Sequence, residues 1–366
     1  MSEKKKRYSL LCPFCKDVVH FELSQEDLNS RYSGGLASLI LAPHGHPAHS
    51  ITCYIDKEGL IRSAYSSFET VEPKITLQNS YLTDATSEIN FQEGDALGVK
   101  ILPFTITIDD IPARNYNEEV FFPEVYEGML ADKKIKSQPV TVEKFYAAFK
   151  NMPRKKPVIA LTISKRYSEG YNNAMKAWEL INKEEPEFAS IIHIVDSKTT
   201  GPMMKLMINK AIEMDEQGES LESILEYLDW IREKHISYIY VDSLNALRKS
   251  ERVGRVTTFF GNLLGLKPVI IENENNNGDL KAFKTVRSKA DAMKEITKAI
   301  REQFGYVELI GVIFYGINIE DAQQLQAMLK MESETEENEF TMDFIGTGVA
   351  MHLSYDLLGI SLYPKL

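Results

Sequence analysis

From about residue 75 onward, short apolar runs alternate with stretches whose apolar residues recur at helical spacing. KITLQNSYLTD, GVKILPFTITID, PVIALTISK and SIIHIVDSK read as strands. VEKFYAAFKNM, YNNAMKAWELINK, GPMMKLMINKAIEMDEQGES and ESILEYLDWIREKH read as helices, the third ending at a glycine signal. Strand, crossover helix and strand in succession is the signature of an α/β domain with a mainly parallel sheet. The pattern predicts such a domain over 73–235.

After His235 the texture changes. ISYIYVDS is a strand, LNALRKSERVGRVTTFFGNLLG is helical in character, and KPVIIENENNNGDLKAFKTV reads as a hairpin around NNNGD. The helix KADAMKEITKAIREQFG, the strand VELIGVIFYGIN and the helix IEDAQQLQAMLKM follow, then MESETEENEF as a solvated loop. FIGTGVAMHLSYDLLGISLY closes a second α/β domain, 236–366. Ahead of both, residues 1–72 form a small, mostly β domain. In ITCYIDKEGLIRSAY two alternating runs flank a DKEG turn, with Ile51, Cys53 and Ile55 on one strand face. SFETVEPKITL reads as the linker.

Composition agrees with this division, because 366 residues exceed one comfortable core. At 43% hydrophobic and 26% charged, the chain reads as an ordinary soluble globular protein. No apolar run approaches the roughly 18 residues that span a bilayer, and MSEKKKRYSLLCPFC lacks the apolar core of a secretory signal. A cytoplasmic location is expected. The net charge of -11 and the absence of a basic face argue against a general nucleic-acid binder. KKKR at 4–7 and PRKKP at 153–157 are short enough to be a solvated end and a loop. Three cysteines cannot build a disulfide scaffold.

In doubly wound α/β domains, ligands sit outside the carboxyl ends of the strands. The polar residues there are Thr83-Asp84-Ala85-Thr86, Lys136-Ser137-Gln138-Pro139, Ser164-Lys165-Arg166 and Asp196 to Gly201. Ser, Thr and Asp also cap helices and make turns, and Thr86 and Thr199 read that way. His352 stands alone in the apolar, glycine-bounded GTGVAMHLSYDLLGISLY, where a histidine is ordinarily a satisfied structural residue. There is no G-x-S-x-G elbow and no G-x-x-x-x-G-K-[ST] loop. Neither a Ser–His hydrolase nor a nucleotide-binding kinase is indicated.

Taken in order, these segments resemble the DegV family of fatty-acid-binding proteins. LTDATSEINFQEGDALGVKILPFTITIDD is similar to that family's opening strand, its TDST-like turn and the segment that follows. KSQPVTVEKF resembles its TSQPS-type motif, and ISKRYSEGYNNAMKA its double-serine segment. VDSKTTG, YVDSLNALRKSERVGRVTTFFGNLLGLKPVI, KTVRSKADAM and GVAMHLSYDLLG are similar to its later signatures. The resemblance implies two α/β domains with a long-chain fatty acid at their junction. It implies a carrier that presents the acid to a separate kinase or acyl-transfer partner and is not itself an enzyme. By position, Ser137, Ser164, Arg252 and His352 fall on the family's head-group residues, with Thr83 in the opening turn. A buried carboxylate needs such donors and a nearby cation or imidazole.

The departures leave alternatives open. Lys136 and Lys165 stand where the family has a threonine and its second serine, and Ala85 replaces the serine of the TDST turn. Ser354-Tyr355-Asp356 stands where Gly-Pro-Gly often follows the histidine. The two lysines either favour a more acidic ligand, such as an acyl phosphate, or point outward. Met203, Met204 and Met207 lie where the family is often glycine-rich; they suit an irregular apolar pocket or a plain core. The family's fold is also similar to the substrate-binding subunit of dihydroxyacetone kinase. That kinship offers a second reading, in which His352 holds a small carbonyl compound. The N-terminal segment lies outside the resemblance. Cys12 and Cys15 have the two-residue spacing of a zinc knuckle, with His44, His49, His46 or Cys53 to complete it; the bland reading is a hairpin domain with incidental thiols. Monomer and homodimer are both open.

Overall fold

The computed structural model describes residues 5–12, 18–30, 32–33, 36–42, 49–56, 59–68, 77–112, 123–243, 247, 266–273, 280–332 and 338–366. At the N-terminus, β1 (Lys6–Leu11) and β2 (Val18–Leu23) form an antiparallel ribbon. β3 (Tyr32–Ser33), β4 (Leu36–Ile40), β5 (His49–Asp56) and β6 (Ile61–Phe68) form an antiparallel sheet in that order. The expected hairpin is β5–β6. Ile51, Cys53 and Ile55 are fully buried, but so are Thr52, Tyr54 and Asp56 to within a few per cent. The one-faced strand expected from alternation is therefore covered on both faces. Tyr8, Leu10, Ile51 and Ile55 share an apolar cluster with Leu309, Ile313, Ile319 and Leu325.

The next sheet is parallel, in the order β13-β12-β7-β8, from β7 (Ser80–Asp84), β8 (Val99–Leu102), β12 (Val158–Thr162) and β13 (Ile192–Asp196). β12 is apolar at four of its five positions and buried at all five, as a strand covered on both faces should be. Helix Phe91–Leu97 crosses from β7 to β8; Asn90 caps it onto the Glu93 N–H and Gly98 ends it at φ 70°. Helix Gly170–Glu184 leads toward β13, burying Ala174, Ala177 and Ile181 along one stripe.

Two predicted strands are shorter than their apolar runs. KITLQNSYLTD becomes a strand only at Ser80, because the Asp215 carboxylate holds the N–H groups of Gln78 and Asn79, each at 3.0 Å. GVKILPFTITID is two strands. Pro103 cannot donate to a ladder, and beyond it β9 (Thr105–Ile108) joins a separate small sheet with β10 (Ile111–Pro112) and β11 (Ile135–Gln138).

The third large sheet runs β16-β15-β14-β19-β17-β18. Its strands are β14 (Ile236–Tyr240), β15 (Lys267–Asn273), β16 (Lys281–Val286), β17 (Leu309–Tyr315), β18 (Glu339–Phe344) and β19 (Leu358–Pro364). β15 and β16 pair as the expected hairpin. The acidic segment expected as loop gives way to β18, whose Phe340, Met342 and Phe344 alternate inward. Ser288 caps helix Lys289–Phe304 onto the Asp291 N–H. Helix Ile319–Glu332 and the short helix Thr347–Leu353 complete this half. The helix expected from LNALRKSERVGRVTTFFGNLLG lies almost wholly outside the described residues. No helix among the described residues is long and apolar enough to cross a membrane.

Candidate ligand-binding site

From β7 the chain steps to β8 on one side and returns to β12 and β13 on the other, so the strand order of the parallel sheet reverses at the β7–β12 junction. A cavity opens beyond the carboxyl ends of these strands, where such folds bind ligands. Asp84, Thr86, Ile163, Thr199 and Thr200 line one wall. The six-stranded sheet and helix Thr347–Leu353 supply the other, through Ile239, Phe314, Val349 and His352. The space between the walls, open solvent at its mouth included, is about 940 Å³.

Ser137 and His352 come together across this cavity, with Ser137 Oγ 3.0 Å from His352 Nε2. Ser137 sits on β11 and His352 in the last turn of helix Thr347–Leu353, 215 positions apart in sequence. When an anionic oxygen replaces their mutual hydrogen bond, the hydroxyl and the Nε2–H tautomer of the imidazole can both donate to it. Asp84 also lines the cavity; it accepts the Ile163 N–H at 2.9 Å, the Thr86 N–H at 3.0 Å and the Thr86 hydroxyl. Burial holds its carboxyl above the usual carboxylate range, against the pull of those bonds.

The other sequence-derived candidates fall elsewhere. Ser164 is buried outside the cavity wall, its hydroxyl accepting the Arg166 N–H at 3.2 Å as a turn residue does. Thr83 is fully buried one residue short of the wall, and its hydroxyl has no partner among the described residues. Lys136 points outward, more than half exposed, 3.6 Å from Asp110; such a pair contributes little. Lys165 is also more than half exposed, 3.7 Å from Asp196 and over the Tyr171 ring. Arg252 lies outside the described residues. Met203, Met204 and Met207 are core residues of the first half.

Cys15 and His44 also lie outside the described residues, and His49 begins β5. Cys12 is fully buried in the apolar cluster of the N-terminal sheets. Burial pushes the Cys53 thiol up to about 12. Among the described residues, no three His, Cys, Asp or Glu side chains group closely enough to hold a metal.

The sequence reading missed the polar floor of the cavity. Ser237, Glu272 and Ser361 line it from three adjacent strands. The available signal was Glu272 itself, one acid inside the apolar run KPVIIEN. In the next row across the sheet, Ile239 and Phe314 pair with Gly359 from either side. A Cβ on Gly359 would lie 2.4 Å from the Phe314 ring and 2.9 Å from the Tyr238 carbonyl oxygen. Gly359→Ala must therefore push the ring toward the cavity. It is expected to destabilise by about 1–3 kcal/mol, as overpacking does, and to constrict the site. A thermal melt of the variant indistinguishable from that of the parent would refute this.

Lys205 from helix Pro202–Glu216 lies part-buried between Glu93 (2.9 Å) and Asp343 (3.1 Å), tying the two halves together. Burial opposes its charge, but Asp343 and Glu93 outweigh burial and raise its pKa. Glu88 lies in the same region, buried at φ 62°. Neither of its carboxyl oxygens has a hydrogen bond of ordinary geometry among the described residues; burial and then Asp343 raise its pKa well above the usual 4.5, more than the Gly346 N–H and Lys205 lower it. The folded chain thus keeps a proton that the unfolded chain releases above about pH 4.5. Stability falls as pH rises between the unfolded and folded pKa values. Glu88→Gln is expected to flatten that slope and raise the urea midpoint at about pH 8. The parent and the variant losing stability in parallel from acid to neutral pH would rule it out.

The model of the DegV family, described as a family of uncharacterised proteins, matches residues 81–365. A DegV domain-containing protein of Staphylococcus aureus is 27% identical over 287 residues, covering 76% of this chain and 95% of its own length. A DegV family protein from Thermus thermophilus, described for its fatty acid binding, aligns with a TM-score of 0.68 at 26% identity, covering 78% of this chain and 99% of that one. A stearic acid-binding protein from Eubacterium ventriosum has the same fold at 23% identity, with a TM-score of 0.68 over 78% of this chain and 98% of its own. From Tyr81 almost to its C-terminus, this chain belongs to the DegV family.

Proposed function

We propose that the protein is a carrier that holds a long-chain fatty acid in the cavity between its two α/β halves, 73–235 and 236–366, without acting on it. The observation that carries this reading is the pairing of Ser137 and His352, from opposite walls, at a predominantly apolar cavity. The acid's carboxylate takes hydrogen bonds from these two side chains, and its tail runs over Ile239, Phe314 and Val349. The tail supplies most of the affinity, since each buried methylene contributes about 0.8 kcal/mol, and the head-group donors fix the direction of entry. The apolar lining by Ile163, Ile239, Phe314, Ile345 and Val349 suits a long acyl tail better than a small polar carbonyl compound, which favours the fatty acid over the kinase-subunit reading. If the bound acid is phosphorylated or transferred, a partner protein supplies the chemistry.

Native mass spectrometry of the purified protein, followed by denaturation and lipid extraction, tests the proposal. A stoichiometric adduct released as a long-chain acid supports it. A chain that carries no lipid and refuses added palmitic, stearic and oleic acids would overturn it.

A further inference from the structure

The cavity floor carries a polar row that an unsubstituted alkyl chain does not match. Ser237 on β14 lies directly opposite Glu272 on β15 and opposite Ser361 on β19. All three line the cavity and are at least 97% buried. Ser237 Oγ–H donates to Glu272 Oε2 at 3.0 Å. A hydroxyl has one proton, so the 2.7 Å contact between Ser237 and Ser361 must be donated by Ser361. Ser361 Oγ then has its proton engaged and its remaining acceptor capacity without a donor among the described residues. The Glu272 carboxylate, which also takes the hydroxyls of Thr199 (3.0 Å) and Tyr167, orients the row by drawing every hydroxyl proton toward itself. What remains facing the cavity is acceptor, within walls that are otherwise largely apolar.

Covering this row with methylenes would leave buried acceptors unpaired, a penalty that makes such a ligand a poor match. A chain hydroxyl laid on Ser361 Oγ removes it. We propose that the preferred ligand is a hydroxylated long-chain acid, with its carboxylate at Ser137 and His352 and a mid-chain hydroxyl donating to Ser361. This rests on the carrier reading of the same cavity and narrows its substrate class.

The test is a competition assay on the delipidated full chain, comparing stearic acid with 9-, 10- and 12-hydroxystearic acids. One isomer should bind at least about tenfold tighter than stearic acid, a step of about 1.4 kcal/mol. In Ser361→Ala that preference should fall to within about twofold, because the hydroxy acid loses its acceptor and stearic acid no longer covers an unpaired Ser361 oxygen. Retained stearic acid binding also shows that the variant folds; if it does not fold, the comparison on the unaltered protein decides alone. Stearic acid binding tightly with every hydroxy isomer equal or weaker would overturn the hydroxyl preference and leave the carrier reading standing. Failure of all four acids to bind would overturn both.

Discussion

His352→Ala is expected to weaken fatty acid binding by roughly 10- to 150-fold, the effect of losing a hydrogen bond of about 1.5–3 kcal/mol to a charged group. Ser137→Ala should lose a similar amount. The double variant should lose less than the sum, because Ser137 and His352 are in contact at 3.0 Å and act on the same head group. Binding isotherms with stearic acid provide the readout, and the methyl ester gives a control: without a carboxylate, it should be nearly indifferent to both substitutions. An ester that loses as much as the acid would mean that the pair shapes the wall and does not bind the head group.

Lys205→Met should be the most destabilising single substitution considered. It removes the cation from between Glu93 and Asp343 and leaves a buried and a part-buried carboxylate facing each other across the interface. Breaking a buried pair from one side costs about 3–5 kcal/mol. The variant should show a much lower urea midpoint at neutral pH and recover in part as acid protonates the carboxylates. Adding Glu93→Gln and Asp343→Asn should restore much of the loss, since a neutral cluster has no stranded charge. A single variant as stable as its parent would mean that the carboxylates are solvated and the network contributes nothing.

The fold was largely legible because its strands and helices carry clean periodicities, as in the apolar β12 and the capped helix Lys289–Phe304. Where the reading slipped, a single residue decided locally. Pro103 split one apolar run into strands of two sheets, and Asp215, far away in sequence, captured the N–H groups that would have begun β7. At the site, the sequence pointed to Ser137 and His352 as separate candidates but not to their contact. Lys136 and Lys165 sit in motif positions yet project outward, because register along the chain says nothing of which way a long side chain turns. The Ser237–Glu272–Ser361 row was illegible for a related reason. Its members come from strands whose pairing is set by the whole sheet, and only in register do two ordinary serines become neighbours of one acid.

Glu272 has one more consequence, and it concerns time. Its carboxylate is held by Tyr167 and Thr199 from the first half and by Ser237 from the second. Swinging the halves apart would break the bonds from Tyr167 and Thr199, so the transient open form is disfavoured by two hydrogen bonds to a charged group, about 1.5–3 kcal/mol each. Loading and unloading through such an opening would be slow, and dwell times correspondingly long, whatever the equilibrium affinity. As the proposed carrier, a molecule built this way would keep its cargo through many collisions and release it where something else loosens the Glu272 strap.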